Sequence, residues 1–256
     1  MAKTGQEQSQ AQGQWVFGMH AVQAILKTSA DKVRALKVMK GRDDQRLQKL
    51  LNLADMHSIE VLRVSRKELD QLTEGEGRHQ GVAAFCESGD IQDEHFLFGL
   101  LEQLQVPPFL LVLDGVTDPH NLGACLRSAD AAGVQAVIVP KDNSVSLTPT
   151  VQKVASGAAE TVPLIVVTNL SRTLKQLQEK GLWIVGTAGE ADSLVYQADL
   201  NGPLAIVMGA EEKGLRRLTR EHCDVLVKLP MAGAVSSLNV SVAAGICLFE
   251  AVRQRH

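Results

Sequence analysis

Six short aliphatic runs constrain this chain more than any other feature. They are Phe109 to Leu113, Ala136 to Val139, Val162 to Val167, Leu182 to Gly186, Leu204 to Met208 and Val225 to Leu229. Each is too short for a buried helix and rich in Val, Ile and Leu, as strands covered on both faces are. Helical patterns separate them: Leu122 to Ala132, Pro149 to Ser156, Ser171 to Lys180, and a long apolar helix, Leu238 to Val252. Strands alternating with helices predict a mostly parallel sheet with helices on both sides. Such sheets place chemistry beyond the carboxyl ends of their strands.

The first strand end repays a close reading. Leu113 to Val134, LDGVTDPHNLGACLRSADAAGV, breaks at Asp114-Gly115 and at Asp118-Pro119, both turn signals, then enters a helix closed by Gly133. Taken alone, Asn121 reads as a helix N-cap, and Arg127 as a solvated helix residue. Six residues separate them, which suggests that both face the same strand-end cleft. Three further strand ends are built of small residues: IVGTAG after Ile184, AIVMGAEEKGL from Ala205, and LPMAGAVSSLNVS from Leu229. No GxxxxGK[ST] and no strand-borne GxGxxG is present, so a phosphate cradle is not expected. Main-chain donors and acceptors, with apolar Met231 and Leu238, suit a flat adenine-bearing ligand.

The first 88 residues form a second unit. A Gln/Ser-rich tail over 1–14 is expected to be disordered. VFGMH then leads into a helix with Val22, Ile25 and Leu26 inward. Val33 to Met39, Ile59 to Val64 and Val82 to Cys86 read as strands. Leu47, Leu50, Leu51 and Ala54 mark one helix, and Ser65 with Glu68 a capping box for another over 66–72. The expected organisation is a tail over 1–14, a small α/β domain over 15–88, a linker over 89–108 and the parallel-sheet domain over 109–256. The linker holds a short helix with Phe96, Leu97, Leu100, Leu101 and Leu104, and ends at Pro107-Pro108.

Charge and cysteine usage narrow the function. The net charge is -3, which argues against indiscriminate nucleic-acid binding. The distribution is uneven. Residues 1–88 carry 13 Lys/Arg against 11 Asp/Glu, and residues 89–108 carry four acidic groups and no basic one. The mildly basic first unit is therefore the expected RNA-facing part. Cys86, Cys125, Cys223 and Cys247 are scattered and read as reduced thiols. The opening residues carry no apolar signal core, and no apolar run approaches the roughly 18 residues of a membrane span. A cytoplasmic protein without metal or membrane association is expected.

The segments DPHNLGACLRSADAAG, VMGAEEKGL and LPMAGAVSSLNVSVAAGICLFEA resemble, in order, the three motifs of the SpoU (TrmH) family of RNA ribose 2′-O-methyltransferases, within the SPOUT superfamily. VFGMHAVQAIL and HQGVAA resemble that family's substrate-binding domain, similar to the ribosomal protein L30e fold. The resemblance runs from about Phe17 to Arg255. It implies a SPOUT domain with a deep C-terminal trefoil knot, although knots are otherwise essentially absent from proteins. It implies S-adenosylmethionine as methyl donor, held at Thr187, Gly209, Leu229, Met231 and Leu238. Arg127 would be catalytic, as a base or as an electrostatic clamp. Asn121 would orient substrate or arginine, Glu211 would fix the ligand loop or pair with a cation, and Asn239 is the third-motif asparagine. The substrate implied is a guanosine ribose in 23S rRNA, in the peptidyl-transferase P loop, and the assembly a homodimer packed through the last helix. The alternatives are a noncatalytic RNA-binding subunit and a tRNA ribose 2′-O-methyltransferase.

Overall fold

The computed structural model describes residues 13–72, 79–87, 91–210 and 213–256. Residues 1–12 of the expected 1–14 tail, and Glu211, lie outside the described residues; the end of that tail is corrected, because Gly13 and Gln14 belong to the first strand and pair with Glu87 and Cys86. The chain divides into two compact units, residues 1–88 and 89–256.

The first unit holds β1 (Gly13–Phe17), α1 (Met19–Thr28), β2 (Val33–Met39), α2 (Gln45–Met56), β3 (Val61–Val64), α3 (Arg66–Leu72) and β4 (Val82–Glu87). Its four strands lie in the order β1-β4-β2-β3, with only the β2–β3 pair parallel. The inward stripe of α1, Val22, Ile25 and Leu26, packs with Leu47 and Leu50 of α2 over Leu36 and Val38 of β2. Two helix starts explain themselves. The Asp44 carboxylate accepts from the backbone N–H of Arg46 and Leu47, each at 3.0 Å, and the Ser65 hydroxyl accepts from Glu68 N–H at 3.2 Å. His79, buried, accepts from Gly81 N–H at Nδ1, 2.9 Å, which leaves Nε2 to donate to Asp70 at 3.0 Å. The HQG segment thus fixes the turn into β4.

The second unit alternates as the aliphatic runs predict. After α4 (Glu94–Gln103) come β5 (Phe109–Asp114), α5 (Pro119–Ala131), β6 (Ala136–Pro140), α6 (Pro149–Ala155), α7 (Ala158–Thr161), β7 (Leu164–Val167), α8 (Leu170–Glu179) and β8 (Trp183–Thr187). Then follow β9 (Ser193–Leu194), β10 (Leu204–Gly209), α9 (Arg217–Glu221), β11 (Val225–Lys228) and α10 (Val240–Arg255). The seven strands are parallel throughout, in the order β7-β6-β5-β10-β8-β11-β9. β5, β6 and β10 are buried along nearly their whole length. Two apolar cores cover the two faces, one against α5, α6, α7 and α10, the other against α4 and α8. Residues 91–108 pack with this unit: Leu97 is fully buried in the second core, and Gln92 bridges to Ile165 beside β7. Phe96 points away, 40% exposed.

One local expectation is corrected. α5 begins at Pro119, three residues earlier than the apolar pattern suggests, and its N-cap is Asp118, whose side chain accepts from His120 N–H at 2.9 Å. Proline is preorganised for the first helical position, so Asn121 is not a cap but sits inside the first turn. Farther along, Gly123 lets α6 approach closely: a Cβ there would lie 2.7 Å from the Val151 carbonyl oxygen.

Candidate active site

Two adjoining cavities open at the carboxyl edge of the parallel sheet. The first, about 410 Å³, lies at the ends of β8, β10 and β11. Thr187, Gly209, Leu229, Met231 and Leu238 all line it, although they come from three separate loops. Parallel pairing brings these loops together, because β8 pairs with both β10 and β11 and all three strands end on the same side. The Thr187 hydroxyl donates to the Val207 carbonyl at 3.2 Å. Gly209 permits the tightest approach: a Cβ there would lie 2.2 Å from the Gly214 carbonyl carbon and 2.4 Å from the Leu215 nitrogen. Ala210 and Gly214 close that loop with a pair of backbone hydrogen bonds, 2.8 and 3.2 Å. Glu190 and Arg220, both lining the cavity, form an ion pair. A backbone hydrogen bond and then the Arg220 guanidinium hold the Glu190 carboxyl below the usual range.

The second cavity, about 570 Å³, lies at the ends of β5 and β10 and is lined by Asp114 to Asp118, Asn121, Asn143, Arg216 and others. Ala210, Lys213, Gly214 and Val240 line both cavities. Asn121 is buried, and its Oδ1 accepts from Asn239 Nδ2 at 2.8 Å. Asn239 is at the same time the N-cap of α10, its Oδ1 accepting from Ser241 N–H at 3.0 Å. One asparagine therefore ties the start of the last helix to the first turn of α5, across 118 residues of sequence.

Arg127 stands apart. It is exposed and lines neither cavity. The expected shared face with Asn121 is not observed, for a geometric reason. At about 3.6 residues per turn, six residues rotate a side chain by roughly 240°, so the pair diverges. Ser128 beside it faces α10, with its Oγ 3.7 Å from where a Gly245 Cβ would stand.

Sequence reading missed two features. Lys213 lines both cavities. Asp114, with a wholly buried side chain, accepts from Arg216 at both backbone N–H, 2.9 Å, and Nε, 2.5 Å. The turn signal at Asp114-Gly115 was visible, but its cationic partner lies 102 residues away.

A fully parallel sheet, small-residue loops at its carboxyl edge and a helix that returns to tie those loops together define an α/β transferase fold of the SPOUT class. The chain belongs to the SpoU rRNA methylase family, whose model matches residues 108–249. A second model, for RNA 2′-O ribose methyltransferase substrate binding, matches residues 15–91. Among its relatives is the 23S rRNA (guanosine-2′-O-)-methyltransferase RlmB of Shewanella oneidensis, 63% identical over 94% of this chain and 97% of that protein. The RlmB of Escherichia coli (strain K12) is 58% identical over 94% and 98%. A solved RNA 2′-O ribose methyltransferase, 29% identical, superposes with a TM-score of 0.74 over 95% of this chain and 89% of its own. The A. aeolicus TrmH/SpoU tRNA modifying enzyme, 28% identical, superposes with a TM-score of 0.53 over 62% of this chain and 83% of its own.

Proposed function

We propose that this chain transfers a methyl group from S-adenosylmethionine to the ribose 2′-hydroxyl of a guanosine in 23S rRNA, within the P loop of the peptidyl-transferase centre. The observation that carries the reading is the pair of cavities with a common wall, one suited to the donor and one to the nucleotide. The first fits the donor's chemistry. Its walls offer backbone amides to an adenine edge, Met231 and Leu238 to an apolar face, and a charged Glu190 toward a cationic end. Bound there, the donor supplies a methyl already activated on a sulfonium. The chain's own task is to hold the hydroxyl in line and stabilise it as its proton leaves.

In this reading Asn121 and Asn239 orient the nucleotide, their mutual hydrogen bond fixing both amides. Glu211 steadies the loop after Gly209. Arg127 acts electrostatically, since a guanidinium has no acceptor for a proton, by clamping a phosphate or stabilising the developing alkoxide. Residues 15–88 select the RNA. A homodimer packs through α10, where Val242 and Phe249, one heptad apart, are each about half exposed. The strand order, with β10 set between β5 and β8 and α10 returning to α5, supports the deep knot. In this reading the work on rRNA takes place in the cytoplasm.

The deciding experiment is tritium transfer from labelled S-adenosylmethionine to 23S rRNA and to tRNA, with parent, Arg127→Ala and Arg127→Lys. Label should enter the rRNA ribose only. Arg127→Ala should slow single turnover by about 10²-fold or more. Lysine keeps the charge but loses the planar fork, so partial activity indicates a clamp. Label in tRNA, or none with parent protein, overturns the reading.

A further inference from the structure

A third hollow continues the carboxyl edge beyond the two cavities. It lies at the ends of β6 and β7, holds about 400 Å³, and is lined by Pro140, Asp142, Thr168, Asn169, Arg216 and Arg217, among others. Arg216 also lines the β5–β10 cavity, so one side chain stands between the two spaces. Its anchoring is unusual. Asp114 is 0% exposed at its side chain, whereas Arg216 is 46% exposed. A carboxylate so buried is costly without a partner, and Arg216 neutralises it with two donors, backbone N–H and Nε. Among the described residues, those two bonds leave the Nη1 and Nη2 edge uncommitted.

We propose that this outward edge of Arg216 binds a phosphodiester of the RNA strand next to the modified nucleotide, and that the strand continues past Arg217 along the ends of β6 and β7. The inference rests on the methyltransferase reading above and adds the path of the substrate. A guanidinium fixed through Nε presents two parallel N–H groups in a plane, the geometry that matches two phosphate oxygens. Bracing on a buried carboxylate removes the rotamer freedom that a phosphate would otherwise have to restrict on binding. Arg217 is 76% exposed and, among the described residues, pairs only with Glu221 on its own helix, so its guanidinium reaches solvent at the rim. Asp142 is the one acidic lining residue of the hollow, against the two guanidinium groups that line it. In a chain of net charge -3, local placement of this kind is what lets a polyanion bind in register.

The test compares parent, Arg216→Lys and Arg217→Ala for binding to a 23S rRNA fragment carrying the target guanosine, titrated across salt concentrations. Calorimetry with S-adenosylmethionine runs in parallel. Lysine can still pair with Asp114 but cannot present the fork. Each variant should weaken RNA binding about tenfold at moderate salt and flatten the slope of log affinity against log salt by about 0.7–0.9, the signature of one lost phosphate contact. Affinity for S-adenosylmethionine should stay at the parent value. Parent-like slopes in both variants overturn the proposal, and Arg217→Ala decides alone where Arg216→Lys folds poorly. Loss of S-adenosylmethionine binding with Arg216→Lys would make the residue a structural brace and also overturns it. A parent protein that binds no rRNA fragment refutes the function itself, a result seen before any variant is made.

Discussion

Gly209→Ala is the most informative perturbation of the donor cavity. The added Cβ would lie 2.2, 2.4 and 2.6 Å from Gly214 C, Leu215 N and Gly214 O, all backbone atoms. Ordinary carbon contacts fall at about 3.5–4.0 Å, so the 213–215 segment must retreat by more than 1 Å. That movement strains the two backbone bonds between Ala210 and Gly214, and the same segment lines the cavity. Overpacking of this kind costs about 1–3 kcal/mol. In a unit of this size each kcal/mol lowers Tm by about 2–4 °C. If the same strain falls on the bound state, donor affinity drops about 10- to 100-fold, at roughly 1.4 kcal/mol per decade.

Gly189→Ala is the matched control. Gly189 lines the same cavity, yet a Cβ there meets nothing within 4 Å. Calorimetric titration of S-adenosylmethionine and thermal unfolding with and without it give both quantities. Gly189→Ala should bind and melt as the parent does. If Gly209→Ala also kept parent affinity and parent Tm, the 213–215 wall would not be tied to the donor, and the placement of the ligand here would be wrong.

Two further outcomes are expected. Asn239→Ser keeps a good helix cap but removes the donor to Asn121; stability should fall by no more than about 1–3 kcal/mol for the disturbed buried amide, while single-turnover methyl transfer falls at least about tenfold, and an unchanged rate would exclude an orienting role. Burial pushes the Cys125, Cys223 and Cys247 thiols up to about 12, with Asp224 and Asp114 adding at Cys223. These groups bind protons more tightly folded than unfolded, so their contribution is complete below about pH 9 and is lost as pH rises toward 12, each at up to about 1.4 kcal/mol per pH unit. Denaturant unfolding between pH 8 and pH 11 should show that decline, and a disulfide-exchange reagent at pH 8 should modify none of the three in the native protein.

The strands were legible because each aliphatic run is a strand buried on both faces, where side-chain chemistry alone reports the environment. All six appear in the sheet, displaced by at most two residues. Ser193–Leu194 and the five-residue helix Arg217–Glu221 were not legible, since neither is long enough to repeat its own pattern of two or about 3.6 residues. The start of α5 was misplaced because apolar spacing begins at Leu122, whereas Asp118 and Pro119 supply the cap and first residue. The loops that meet around the first cavity could be named from their small residues. The pairs that hold the site, Asn121 with Asn239 and Asp114 with Arg216, join residues more than 100 positions apart. Local periodicity carries no information at that range, and only the strand order supplies it.

The common wall has a consequence for the order of events. Ala210, Lys213, Gly214 and Val240 line both cavities, and Val240 directly follows the asparagine that bonds Asn121. A ligand that presses on this wall from one side alters the space on the other. A donor that stiffens the 213–215 segment on binding would pre-pay ordering that a nucleotide entering next door would otherwise cost. Coupling of that origin is reciprocal: whatever factor the donor adds to RNA affinity, RNA adds to donor affinity. Lys213 lines both spaces, so removing it should change the two affinities and also the factor that links them. Gly189, in the donor cavity but not in the shared wall, should leave that factor untouched. A Lys213→Ala protein in which donor and RNA affinities both fall while their mutual enhancement stays at the parent value would break the argument, because the wall would then touch both ligands without joining them.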